Sequence, residues 1–133
     1  MSPIPDSYAP HFRKSAFTDP WEPLYSRVTP EQISLGTVLR EAHCNSRGII
    51  HGGFISAIAD NAMGLSCVQI MKGQGRDVKS LVTVNLSVDF TGMAKVGEWI
   101  ATVIATIAGH RPVVATDQIR HFDHDGYATF PNQ

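Results

Sequence analysis

Between positions 53 and 71 apolar side chains are so dense that almost no polar face survives. Phe54, Ile55, Ile58, Ala62, Leu65 and Val68 fall at helical spacing, and Ala57, Ala59, Met63 and Ile70 fill the gaps. This pattern predicts a long helix buried on most sides. The glycine-punctuated stretch at 72–77 ends it. Downstream the period changes to two. Val82, Val84, Leu86, Val88 and Phe90 alternate with Thr83, Asn85, Ser87 and Asp89, which predicts a strand over 82–90. Positions 99–108 and 113–122 are rich in β-branched residues and flank Gly109-His110-Arg111-Pro112, so they predict two further strands joined by a turn. Asp123-His124-Asp125-Gly126 predicts a hairpin turn into a short strand at 127–130. Upstream, 33–42 predicts a first strand, followed by a loop at 43–51. One long buried helix with about five mostly antiparallel strands implies an α+β fold in which the sheet curls around the helix.

Positions 1–30 depart from this regularity. They hold six of the eight prolines, with Tyr8, Phe12, Phe17, Trp21 and Tyr25 between them. The prolines deny the stretch a long helix, and the aromatics predict that it packs on the core. The 133 residues suffice for a single domain spanning 1–133. Eleven Lys and Arg against twelve Asp and Glu, with no basic run, argue against nucleic acid as a partner. No uninterrupted run of about eighteen apolar residues and no signal-type apolar core appear, so neither a membrane span nor export is expected. Cys44 and Cys67 form neither a metal-type pair nor a disulfide framework, which fits a reducing cytoplasm.

Candidate chemistry concentrates in one segment. His51, Gly52 and Gly53 open the long helix, and Asp60 is the only carboxylate within it. A helix start presents unpaired N–H groups and the positive end of the helix dipole. Glycine there lets a carbonyl approach those donors without meeting a Cβ. A carboxylate on an apolar helix is costly to bury unless its charge or hydrogen bonds are used. Its neighbours Ser56, Ala57 and Gly64 are small enough to leave room for a ligand, Met63 being the exception. Gly53 and Asp60 stand seven positions apart, roughly 10 Å along a helix, too far for one chain to supply both a carbonyl donor and its base. Two antiparallel helices about a two-fold axis would bring Gly52 of one chain to Asp60 of the other. Each residue also has a plain structural reading: a wet-stripe Asp60, a Gly-Gly turn, a capping His51, a turn-forming Asn45 and a strand-forming Thr83.

The residues Asn45-x5-His51-Gly52-Gly53-x6-Asp60, with Thr83-Val-Asn-Leu-Ser-Val-Asp-Phe90 and Ala94-Lys-Val-Gly97-Glu98, resemble the hot-dog fold acyl-CoA thioesterases of the phenylacetate-degradation (PaaI) type. The resemblance runs from about Leu35 to Phe130 and implies a hot-dog fold, a long central helix wrapped by a curved sheet. It implies hydrolysis of an aryl or medium-chain acyl-CoA thioester, with coenzyme A part of the substrate and no separate cofactor or metal. In that family the amide at Gly52 helps bind the thioester carbonyl, and Asp60 is general base or nucleophile. Asn45 and His51 orient substrate and water, and Thr83 assists the carboxylate. Gly53, Phe54, Ile58 and Met63 would contact the acyl group, and Arg111, with His110, Arg47 and Lys95, could meet the coenzyme A phosphates. The family also implies a homodimer with a shared site, assembled further into a homotetramer. Gly92-Met93-Ala94 stands where many relatives carry Ser-Pro-Ala. His121-x-x-His124 has a metal-like spacing but spans a strand end and a turn, where ligands do not converge. A hydroxyacyl-thioester dehydratase or hydratase and a non-catalytic acyl-CoA-binding module remain as alternatives on the same fold.

Overall fold

A computed structural model of the chain describes residues 3–76, 81–83, 86–90, 92–108, 113–123 and 126–131, with side chains as far as Val103. Strands β1 (Ala9–Pro10), β2 (Tyr25–Val28) and β3 (Ile33–Val38) precede helix α1 (Gly52–Gly73). Strands β4 (Trp99–Ala108), β5 (Val113–Asp123) and β6 (Gly126–Pro131) follow it. All pairings are antiparallel, and the strands lie in the sheet in chain order. Helix α1 packs on β3, β4 and β5. The result is α+β, with one long helix against an antiparallel sheet.

Burial follows the sequence chemistry. Phe54, Ile55, Ile58, Ala59 and Ala62 of α1 meet Ile33 and Leu35 of β3 and Ile100 of β4 in one cluster. Each large aliphatic or aromatic side chain buried there contributes about 1.5–3 kcal/mol. Polar ties fix the helix over the sheet. The Ser66 hydroxyl accepts from the Ile33 amide at 2.9 Å and donates to the Ile33 carbonyl at 3.1 Å. Gln69 Nε2 donates to the Thr29 carbonyl at 2.9 Å. By length and by its mean hydropathy of 1.3, α1 could cross a membrane, which its interruptions by Ser, Asp, Asn and Gly did not suggest; here it serves as the helix of the core.

Three expectations need correction. The strand expected over 33–42 stops at Val38, because a 3-10 turn at Glu41–His43 follows. That turn is closed by the His43 ring, whose Nδ1 accepts the Arg40 amide at 3.0 Å. The strand expected over 82–90 is not formed among the described residues, which show only an isolated bridge at Val88. Both places beside β3 are taken by β2 and β4, so this run finds no inner slot in its own chain. Of its described apolar side chains Val82 is 79% exposed and Phe90 56%, with Leu86 also exposed, while Val88 packs partly buried against the core cluster. Finally, the proline-rich start contributes β1 and β2 to the sheet, although no periodicity announced them.

The outer face of β3 is closed by aromatic rings. The Tyr8 hydroxyl lies 2.7 Å from Ser34 Oγ, and its ring meets Trp99 edge-on at 5.0 Å. Gly36 is required by this packing. A Cβ there would stand 2.5 Å from the Trp99 ring and 2.9 Å from the Ile100 carbonyl oxygen. Gly36→Ala should therefore lower the urea midpoint, by about 1–3 kcal/mol of stability, as overpacking in a close-packed region does. An unchanged midpoint would show that Trp99 yields freely.

Candidate active site at the start of the long helix

Loop 44–50 delivers the chain to α1 through the Asn45 side chain. Its Oδ1 accepts from the Arg47 amide at 2.9 Å and the Ile49 amide at 3.2 Å, and Gly48 turns the chain at φ +74°. Bridges between Cys44 and Ile50 and between Ile49 and Lys95 hold the loop beside the 92–98 segment. Asn45 Oδ1 is thus used in shaping the loop, and its Nδ2 donor makes no hydrogen bond among the described residues.

His51 is the N-cap of α1. Its Nδ1 accepts from the Gly53 amide at 2.8 Å, which places the proton of the neutral ring on the exposed Nε2. The cap therefore uses the Gly53 N–H. The His51 carbonyl accepts from the amides of Phe54 and Ile55 at 3.0 and 3.1 Å, so it points into the helix. In a trans peptide the following N–H points the opposite way. The Gly52 amide accordingly faces outward, and it makes no hydrogen bond among the described residues. A Cβ on Gly52 would come within 3.0 Å of the Phe90 ring. Glycine here keeps the donor and its surroundings open.

Asp60 lies two turns along the same helix. It is half-buried, not buried as the apolar sequence suggested, because it falls on an outer stripe with Ala57, Asn61 and Gly64. A Cβ on Gly64 would meet nothing within 4 Å. The Thr83 hydroxyl donates to Asp60 Oδ1 at 2.5 Å, so two residues 23 positions apart are brought together.

The expected acyl-contact residues are placed less favourably. Phe54 and Ile58 are each 3% exposed and belong to the chain's own core. Met63 packs partly buried against the same cluster, and Gly53 is exposed. These core positions follow from apolar content: the side chains that would suit an acyl group also suit the sheet. Arg111, His110 and His124 lie outside the described residues, while Arg47 and Lys95 are exposed. Sequence reasoning missed His43, which has no exposed surface and stacks on Phe54 with ring centres 4.5 Å apart. Its position two residues before Asn45 was the available signal.

Comparison with known proteins adds an independent line. Residues 47–109 match the model of the thioesterase superfamily. The chain is 34% identical over 101 residues to a Pseudomonas aeruginosa protein named "Putative esterase PA0474", covering 75% of this chain and 72% of that one. In three dimensions it resembles zebrafish thioesterase superfamily member 2, with a TM-score of 0.71, 17% identity, and 90% and 83% of the two chains covered. It also resembles a Streptococcus pneumoniae hypothetical thioesterase solved with coenzyme A, at TM-score 0.60, 16% identity, and 82% and 83% coverage. Escherichia coli PaaI, of the phenylacetic acid degradation operon, gives TM-score 0.60, 17% identity, and 75% and 68% coverage. These structural likenesses establish the hot-dog fold.

Burial holds the His43 imidazole below its ordinary pKa of 6.5, a nearby Arg40 charge adds to this, and the Trp21 carbonyl opposes it. Folded His43 thus binds its proton less readily than unfolded His43. Its contribution to stability is complete above about 6.5, declines as pH falls toward the folded pKa, and is absent below that. His11, also depressed by burial, acts in the same direction. The urea midpoint should fall between about pH 8 and about pH 5, and His43→Gln should flatten the decline. An identical slope in that variant would remove His43 from this account.

Proposed function

The chain belongs to the thioesterase superfamily, and on that premise we propose that it hydrolyses an acyl-CoA thioester to a free acid and coenzyme A. The observation that carries the reading is the pairing of Asp60 with Thr83 on the helix that also presents the uncommitted Gly52 amide. The thioester carbonyl oxygen accepts from Gly52 N–H, which strengthens as that oxygen becomes an oxyanion. Asp60, held by Thr83, removes a proton from water as the water adds to the carbonyl carbon. The tetrahedral intermediate then collapses, the C–S bond breaks, and Asp60 returns the proton to the departing thiolate. In the nucleophilic variant an Asp60 carboxylate oxygen adds to the carbonyl carbon, the C–S bond breaks and the thiolate of coenzyme A departs. Water then opens the resulting anhydride, which releases the acid, restores Asp60 and supplies the proton that the thiolate takes up. His51 and the Asn45 Nδ2 group orient substrate at the helix start. Aryl and medium-chain acyl groups both fit this reading.

Gly52 and Asp60 stand eight residues apart on one helix, about 12 Å, so the two groups act from different chains of a homodimer. The half-exposed stripe around Asp60 and the outward Val82, Leu86 and Phe90 supply apolar surface for that second copy. Pairing two such dimers would give the tetramer.

Thiol release from a panel of aryl- and alkyl-CoA thioesters tests the chemistry. Asp60→Ala should reduce turnover by about 10² or more in a folded protein, and Thr83→Val by about tenfold. Thioester binding without release by the wild type would instead indicate a binding module. Gly52→Pro removes the proposed donor at a helix position that tolerates proline, while Gly52→Ala keeps the N–H as the control. The proline variant should lose about 10²–10³ relative to alanine. Mixing Asp60→Ala with Gly52→Pro chains should restore about one quarter of wild-type activity if sites are shared: half the dimers are mixed, and each has one intact site. No recovery in demonstrably mixed dimers would place both groups in one chain.

A further inference from the structure

His43 belongs to none of the reacting groups, yet its polar atoms tie together three segments around them. Its Nδ1 accepts the Arg40 amide at 3.0 Å, so the ring proton is on Nε2 and is donated to the Trp21 carbonyl at 2.8 Å. Its own amide donates to the Arg40 carbonyl at 2.9 Å, and its carbonyl accepts the His51 amide at 2.9 Å. The ring is stacked on Phe54, against which Trp21 also stands edge-on at 5.2 Å. A fully buried imidazole needs both nitrogens satisfied, and here one bond closes its own turn while the other reaches residue 21, so the ring links the turn to the N-terminal segment.

The consequence concerns the peptide between His51 and Gly52. Its carbonyl is fixed by α1, and the His51 residue that carries it is fixed at its amide by the His43 carbonyl. The direction of Gly52 N–H therefore depends on where His43 sits, and His43 is located by Trp21. We propose that His43 is a positioning residue through which the N-terminal segment holds the Gly52 amide toward the thioester oxygen. This rests on the thioesterase reading above. It gives residues 19–24 a part in the site: Arg40 also donates to the Glu22 carbonyl, and Thr37 Oγ1 donates to the Pro23 carbonyl at 2.9 Å. An error of about 1 Å in such a donor can cost about 10² in rate.

The test compares His43→Phe and His43→Gln in the full chain, reading kcat and KM on the cleaved thioester, the melting temperature, and the Gly52 amide resonance by NMR. Phenylalanine keeps the stack on Phe54 but makes neither ring hydrogen bond. It should lower kcat about tenfold or more, with KM changed less than about twofold, and shift the Gly52 resonance. Glutamine, whose amide N–H can reach the Trp21 carbonyl, should recover most of kcat. A folded phenylalanine variant with kcat within about twofold of wild type and an unmoved Gly52 resonance overturns the proposal. So does failure of both variants to fold, since His43 would then be a structural residue alone. A wild type inactive on every thioester sinks the functional reading itself, whereas an active wild type with an indifferent His43→Phe sinks only the positioning role.

Discussion

Packing of α1 on the sheet is the constraint from which the rest follows. The helix has few polar positions, and burying its Phe54–Ile55–Ile58–Ala62 side against β3 and β4 fixes both its height and its rotation. Once that side faces inward, geometry assigns the others. Asp60 must fall on the outer stripe, and the helix start must lie beside loop 44–50 and the 92–98 segment. Ser66 and Gln69 hold the opposite end of the helix to the turn before β3 and to its first residue. The placement of the chemistry is thus a by-product of hydrophobic packing.

Backbone hydrogen-bond accounting sharpens this at the helix start. The first amides of any helix lack partners within it, and a capping side chain usually satisfies one. Here His51 takes the Gly53 amide and leaves the Gly52 amide open. A histidine cap differs from a serine or aspartate cap in carrying a second nitrogen, here on an exposed residue. The same ring therefore closes the helix and keeps a donor available near an incoming substrate.

The proline-rich start illustrates how irregular sequence acquires a structural role through contacts. Tyr8 and Tyr25 close the outer face of the sheet over Trp99, Leu24 enters the main core, and Trp21 lies between Phe17 and Phe54. Strand β2 then shields β3 on one side, as β4 does on the other. That arrangement leaves Val82, Leu86 and Phe90 outward in the single chain, and with them the half-exposed stripe of α1.

The long helix, the strands at 99–108, 113–122 and 127–130, and the placing of His51 and Gly52 at the helix start with Asp60 farther along it were legible in the residues themselves. Periodicity reports which side of an element is apolar, and punctuation by glycine and proline reports where it ends. The sequence by itself also carried the resemblance to thioesterases, because a motif depends on local spacing. Tertiary structure alone decided which amide at the helix start is spent and which is free, since that depends on the His51 ring and the peptide direction. It alone joined Trp21 to His43, a contact across 22 positions that no local pattern encodes, and it gave the Thr83–Asp60 pairing implied by the resemblance its hydrogen bond. It also assigned Phe54 and Ile58 to the core and formed no strand among the described residues of 82–90. Hydrophobicity states that a side chain will be covered; only the packed chain states by what.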